Sequence, residues 1–162
     1  MCAYDHSVKK SVAEWLKKEK LWNSVTPNEK KFLQNAKEED QESLNYSWKL
    51  ETLVPLLWSI GKLKNLQNLK KQCDSSEIKK VMIFPPDSTT DFIKTAVLLP
   101  EKKILSEYEK VYDAHWKIRD AKIHNKKIPN GFDSGVVYER HYAFNWLTGY
   151  MKQEWDDVTT DT

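Results

Sequence analysis

The sequence predicts an all-α fold, a compact and irregular bundle of six to eight helices around a central buried helix. Apolar residues recur at helical spacing along almost the whole chain, and strict alternation of apolar and polar residues is nearly absent. Glycine is scarce, with 4 residues, and proline is modest, with 6. One segment, Trp48 to Ile60, is apolar around most of its circumference, the pattern of a helix covered on all sides. Proline-rich breaks and unequal segment lengths set this bundle apart from a simple up-and-down arrangement of four helices.

The first helix starts near Ser7 and puts Val8, Val12, Trp15 and Leu16 on one face. The second has a marked start. Thr26-Pro27-Asn28-Glu29 supplies a capping hydroxyl, a proline at the first helical position and a glutamate at the third, which together form a capping box. Phe32, Leu33 and Ala36 follow on one face, and Lys37–Glu42 is a charged, exposed connector. The third helix runs from about Gln41 to Ile60. Tyr46, Leu50, Leu53, Val54, Leu57 and Ile60 line one side of it, and Trp48, Glu51 and Trp58 another. Pro55 is expected to kink it by removing a backbone hydrogen bond, and Gly61 is a left-handed stop.

Lys62–Gln72 reads as either a short helix or a loop. Asp74 or Ser75 then caps a brief helix carrying Ile78, Val81 and Met82. Pro85-Pro86-Asp87-Ser88 breaks the chain, and a short helix from Thr89 or Thr90 is expected to reach Leu98. Pro100 opens a long helix to about Asn125, with a stripe of Leu105, Tyr108, Tyr112, His115, Arg119 and Ile123. A turn-rich loop, Pro129–Gly135, leads to a last helix from Val136 to about Tyr150, carrying Val137, Arg140, Phe144, Leu147 and Met151 on one face. The tail from Trp155 to Thr162 is irregular and acidic. No repeat and no linker divides the chain. The expectation is one helical domain over residues 1–162, with N-terminal helices in 1–40 and the main core in 41–162.

Composition excludes several function classes. Hydrophobic residues make up 40% and charged residues 31%, so the chain is neither a membrane protein nor disordered. The longest apolar stretch, Leu53 to Ile60, falls far short of the roughly 20 residues that a spanning helix needs. The first residues, Met1 to His6, lack a basic region followed by an apolar one, so no secretory signal is expected. Two cysteines, Cys2 and Cys73, supply neither a disulfide framework nor a four-sulfur zinc site, which points to a reducing cytoplasm. The formal net charge is +2. Residues 1–81 carry 15 basic and 11 acidic groups, and residues 82–162 carry 11 and 13. This balance, and the lack of aromatic residues interleaved with lysine across Lys62–Lys80, make a nucleic-acid partner an unfavoured reading.

One count is informative. Of 26 basic residues, 24 are Lys and only Arg119 and Arg140 are Arg. A position that stays Arg in so lysine-rich a chain suggests a need for the planar fork of five donors. Both arginines fall on apolar stripes, as does His115. Guanidinium groups inside a core need carboxylate partners. The predicted polar cluster is therefore Glu51, Asp113, His115, Arg119, Glu139, Arg140 and Asp156, with Asp120 as a further carboxylate. Trp155 is expected to pin the acidic tail over the bundle while Asp156 meets an Arg. Trp48, Trp58, Trp116 and Trp146 are read as core residues. The cluster is open to two readings: a lock that fixes helix packing, or a ligand site built from the same residues.

Catalytic and cofactor motifs are missing. There is no His-Glu-x-x-His and no Glu-x-x-His pair. Asp113-Ala-His115 and Glu139-Arg-His141 each place a carboxylate two residues from a histidine, but such residues diverge by roughly 200° on a helix. Two helices together would be needed to chelate, so no metal and no cofactor is expected. Cys73 lies in a lysine-rich region that would lower its pKa, but it has no histidine context in the sequence. No Gly-x-Ser-x-Gly, phosphate-cradling loop or dinucleotide fingerprint is present.

Three segments together carry a resemblance. The first is Asn45-Tyr46-Ser47-Trp48-Lys49-Leu50-Glu51 with Leu56-Leu57-Trp58-Ser59-Ile60-Gly61. The second is Tyr112-Asp113-Ala114-His115-Trp116-Lys117-Ile118-Arg119-Asp120-Ala121. The third is Val137 to Leu147 with the closing Trp155-Asp156-Asp157-Val158-Thr159-Thr160-Asp161-Thr162. In order and spacing these resemble the bacterial family filed as domain of unknown function 4272, from about Trp48 onward, with a chain that looks short at its N-terminus. The resemblance implies an Arg shortly after the first tryptophan, where this chain has Lys49. It implies a bacterial, cytoplasmic, helical protein and brings no chemistry. The first functional expectation is a non-catalytic binding or protein-interaction module with a protein partner. The alternative is a small-molecule binder or enzyme with its site among His115, Arg119, Glu139, Arg140 and Asp156, where the arginines bind an anion and His115 or Glu139 acts as acid or base.

Overall fold

The computed structural model describes residues 6–35 and 47–162. The expectations for Ala36, the Lys37–Glu42 connector and the first turns of the central helix, Tyr46 included, lie outside the described residues. Among the described residues there are seven α-helices and no strand. They are α1 (His6–Lys18), α2 (Pro27–Gln34), α3 (Leu50–Ser59), α4 (Ser75–Val81), α5 (Thr90–Lys94), α6 (Glu101–Ile123) and α7 (Ser134–Leu147). Single 3₁₀ turns stand at Trp22–Ser24, Pro129–Gly131, Tyr150–Lys152 and Trp155–Asp157.

Local chemistry sets the ends of these helices. The Thr26 hydroxyl accepts from the Glu29 N–H, and the Glu29 carboxylate accepts from the Thr26 N–H at 3.0 Å, with Pro27 at the first position of α2. Asp74 caps α4 through the Ser76 N–H. Asp133 caps α7 through the N–H groups of Gly135 and Val136. Gly61 stops α3 in the left-handed region at φ +74°, which a residue with a Cβ adopts only under strain.

Helix α3 is the central element. It packs on α7, and α7 packs in turn on α6. Val54, Leu57 and Trp58 of α3 meet Ile78 of α4, Ile104 and Val111 of α6, and Phe144 of α7 in the main core. Pro55 lies inside α3, which runs continuously through it from Leu50 to Ser59. Lys62–Gln72 is a loop. Helix α5 is shorter than expected and ends at Lys94 rather than Leu98. The reason lies in the tertiary structure. The Val97 and Leu99 N–H groups donate to the Ile60 and Ser59 carbonyl oxygens at 3.0 and 2.7 Å, so this stretch satisfies the C-terminal end of α3 instead of continuing a helix.

Helix α6 corrects the expected stripe. Its buried residues are Ile104, Val111, Ala114, His115, Ile118 and Ala121, while Leu105, Tyr112 and Ile123 are exposed. Arg119 belongs to the exposed side. Helix α7 has nine buried residues, from Val136 to Asn145, so it is enclosed on nearly every side. The N-terminal pair of helices is tied to the rest by side-chain bonds. Trp15 Nε1 donates to the Asp87 carbonyl oxygen at 2.8 Å, and the Glu19 carboxylate accepts from the Thr89 N–H at 2.7 Å.

Gly135, at the start of α7, lies directly under the Trp48 ring. A Cβ there would stand 2.7 and 2.8 Å from two ring carbons. Gly135→Ala gains helix propensity of up to about 1 kcal/mol, but overpacking against a ring costs about 1–3 kcal/mol. The expected outcome is net destabilisation, read as a lower urea midpoint with an unchanged slope.

Candidate functional site

The residues singled out in the sequence sort into three separate places. The first is a buried ion pair. Arg140, in the middle of α7, is 1% exposed, and Glu51, in the first turn of α3, is 2% exposed. Arg140 Nε and Nη2 donate to the same oxygen, Glu51 Oε2, at 3.2 and 2.9 Å. The other carboxylate oxygen, Oε1, accepts from the Cys73 N–H at 2.6 Å. Arg140 Nη1 donates to the Gln67 carbonyl oxygen. Two helices and the 62–74 loop thus converge on one charge pair, and neither side chain leaves a buried polar atom unpartnered.

Cys73 shares this neighbourhood. Burial, followed by the negative charge of Glu51, pushes its thiol up to about 12. The lysine-rich surroundings were expected to lower it, but the lysines beside it are exposed while Glu51 touches its backbone. At neutral pH the side chain is a protonated thiol, the inert form.

The second place is the wall of a groove. Lys49 Nζ lies 3.1 Å from Glu139 Oε2 and 3.8 Å above the centre of the Tyr142 ring. Tyr142 donates its hydroxyl to the Trp155 carbonyl oxygen, and the Trp155 ring stands edge-on to Tyr142 and Trp146 at 5.1 and 5.4 Å. Trp155 does pin the tail, as expected. Asp156 does not meet an Arg: its Oδ2 accepts from the Asn28 N–H at 2.9 Å and ties the tail to the start of α2. Burial and the nearby Asp156 and Glu139 charges push the Tyr142 hydroxyl well above its ordinary range. Lys49, Tyr142, Trp146, Trp155 and Asp156 line a groove of about 940 Å³, whose floor and far wall include Leu50, Leu53, Leu56, Ile78, Met82 and Phe84.

The third place is between α6 and α7. His115 Nδ1 and His141 Nδ1 are 2.7 Å apart. His115 is 7% exposed and His141 fully buried. His141 Nε2 and Asn145 Oδ1, one turn further along α7, are buried without a hydrogen-bond partner. Burial lowers both histidines. Arg119 and Lys122 add to the effect at His115, and His115 adds to it at His141, which falls to about 4. The pairing of His141 and Asn145 escaped the sequence reading. The sequence carries no signal for them, since α7 also exposes apolar residues such as Tyr138 and Trp146.

The remaining candidates stand apart. Asp113 is exposed and bonds Lys117 of its own helix at 2.6 Å. Asp120 pairs with His124 at 3.1 Å. Arg119, expected on a buried face with a carboxylate, is exposed and donates to the Thr162 hydroxyl at 3.3 Å. Trp58 is buried at 4% exposure, whereas Trp116 and Trp146, expected in the core, are 50% and 42% exposed. Among the described residues no group of three or more His, Cys, Asp or Glu could hold a metal ion, and no helix is long and apolar enough to cross a membrane.

The ion pair gives a direct test. Removing one partner of a buried pair costs about 3–5 kcal/mol, because the other charge is left uncompensated. Glu51→Leu and Arg140→Met should each lower stability by that amount in urea, and the double variant should cost less than the two single changes combined. Arg140→Lys is not conservative, since one ammonium cannot reach both Glu51 and the Gln67 carbonyl in the plane of the fork.

No curated protein and no solved structure matches the chain. The match to a family reaches further toward the N-terminus than the three sequence segments do: the model of the family described as "Domain of unknown function (DUF4272)" matches residues 2–158, and the chain belongs to that family.

Proposed function

We propose that this is a non-catalytic binding module of the bacterial cytoplasm, and that it takes a segment of a protein partner into the groove between α3, α4 and the C-terminal tail. The observation that carries this reading is the character of the groove. Its volume of about 940 Å³ lies at the upper end of the roughly 300–1,000 Å³ typical of ligand sites. About half of its lining is aliphatic or aromatic, including Leu50, Leu53, Leu56, Ile78 and Trp155, and the rest is polar, with Glu29, Lys49, Lys79 and Asp156 supplying charge. That combination suits the apolar face of a peptide or helix, held by a few rim charges. Phe84, which lines the groove, is 50% exposed.

The surrounding chemistry supports binding over catalysis. Glu139 is engaged by Lys49, and the Cys73 thiol and the Tyr142 hydroxyl are both held protonated. Of the five residues in the alternative ligand site, only Asp156 lines the groove. Arg140 is spent on Glu51 and Gln67, and Arg119 faces solvent. The cytoplasmic location rests on the two cysteines of the sequence, of which Cys73 is free.

The test is capture from a bacterial lysate with a photo-crosslinking residue at position 79, with and without Phe84→Glu, both positions lining the groove, exposed and outside the core. The expected outcome is one stoichiometric crosslinked protein, lost in Phe84→Glu without a change in thermal midpoint. No crosslinked protein, together with a several-degree thermal shift from small carboxylates or phosphorylated sugars that Arg119→Lys abolishes, would instead support the small-molecule alternative.

A further inference from the structure

The end of the chain is held to the bundle in part by Asn145, one turn along α7 from the two buried histidines. Asn145 Nδ2 donates to the Thr159 carbonyl oxygen at 2.7 Å, and the Thr159 N–H donates to Gln153 Oε1 at 3.0 Å. Val158 beside it is 8% exposed. A carbonyl oxygen only accepts, so the Asn145 amide must present its NH₂ to Thr159. Its oxygen then faces away and needs a donor. One other buried side-chain polar atom among the described residues lacks a partner: His141 Nε2, one turn earlier on the same helix. Neither atom has a hydrogen-bond partner, but a proton on His141 Nε2 would make the two complementary, and Asn145 favours a proton on that ring. In that tautomer the His141 Nδ1 is a lone pair, and the 2.7 Å contact requires His115 to donate from Nδ1. The polarity then runs one way, from α6 through both rings and the amide to the tail.

We propose that this chain is an acid-releasable latch for the C-terminal tail, opened when the histidine pair takes up a second proton. The first proton goes to His115 Nε2, the one lone pair at the free end, and breaks nothing. The second has only His141 Nδ1 left. Two N–H groups then confront each other across 2.7 Å, the rings part, and the Asn145 amide loses the complementary N–H that orients it toward Thr159. The groups around the pair do not neutralise such a charge. From α6, Arg119 and Lys122 oppose it, and the Tyr108 and Tyr112 rings pack on His141. From α7, Tyr138 stands edge-on to His115. From the tail, Asp161 alone acts in favour of a proton on His141, and the net direction is still downward.

The sign follows from that direction. The unfolded chain binds protons to these histidines at a higher pH than the folded one. The stability contributed by the neutral pair is full above the ordinary value of 6.5 and is lost as pH falls toward about 4. Trp155 and Asp156, which wall the groove, are held separately by Tyr142 and the Asn28 N–H, so the latch does not depend on what the groove binds.

Amide hydrogen exchange tests this, with protection corrected for the intrinsic pH dependence of exchange. In the unaltered protein, protection of the Thr159 amide should fall about tenfold or more across that window while Val54 in α3 stays protected. In His115→Gln a protonated His141 can donate to the new amide oxygen, so Thr159 protection should stay flat over the same range. Asn145→Ala, which removes the donor to the Thr159 carbonyl, should lower protection of the Thr159 amide already at neutral pH even though that amide bonds Gln153 Oε1, and this variant decides the matter if His115→Gln does not fold. Three results would overturn the latch. One is Thr159 and Val54 losing protection together. Another is His115→Gln releasing the tail at the unaltered protein's pH, which would make the tail carboxylates the titrating groups. The last is an unaltered Thr159 profile in Asn145→Ala.

Discussion

Arg140 is a full positive charge almost out of contact with water, and the way it is answered sets three segments at once. A fork-to-fork pairing would have used both carboxylate oxygens of Glu51. Here Nε and Nη2 share a single oxygen, and that leaves Oε1 for the Cys73 N–H and Nη1 for the Gln67 carbonyl. The 62–74 loop has no regular structure to satisfy its own backbone, so these two bonds stand in for a helix or sheet ladder. A further bond, from the Asp133 N–H to the Leu69 carbonyl oxygen at 2.9 Å, fixes the same loop to the start of α7. The pair is therefore better understood as specifying where α3, α7 and the loop stand than as a source of net stability, because desolvation consumes much of what the charges gain.

What the sequence disclosed and what it hid follow from the range of the forces involved. Thr26 with Glu29, Asp74 and Gly61 were legible because a cap is decided within four residues. Helix α5 was overextended because its end depends on Val97 and Leu99 bonding to Ile60 and Ser59, more than thirty residues away in the chain. The stripe of α6 slipped for a different reason. Large residues such as Leu105, Tyr112 and Ile123 dominated the periodicity, but close approach of α7 calls for small ones. Ala114, Ala121 and Val137 are at 0%, 4% and 0% exposure, and no hydropathy ranking favours alanine over tyrosine strongly enough to show that. The scarcity of arginine marked Arg140 correctly and Arg119 wrongly, since rarity signals a special need without saying whether the need is buried.

The candidate site was readable only as a set of residue types. Glu51, Arg140, Glu139, Trp155, Asp156 and His115 all make specific contacts, but with three different groups of partners. Which group each joins is decided by helix rotation, and apolar spacing fixes rotation only where one face of a helix is clearly apolar. His141 and Asn145 were invisible for the same reason. On a helix enclosed on nearly every side, no stripe separates a polar residue with a buried partner from one facing solvent.

Lys49 shows how far geometry, rather than charge, decides which basic residue a position tolerates. The family resemblance suggests arginine near this position. Lys49 meets one oxygen of Glu139 and the face of the Tyr142 ring, and among the described residues no third acceptor converges on it. A compact ammonium can satisfy both contacts, since one needs a single N–H and the other needs only a cation over a π-face. Side-chain exposure of 36% lets water take the remaining donors. Arg140 is the contrary case: acceptors on two different segments lie in the plane of one guanidinium, with no water to make good a missing bond. Lysine therefore suffices at the edge of the groove and fails beneath it, and the line between the two follows the burial of the acceptors rather than the sign of the charge.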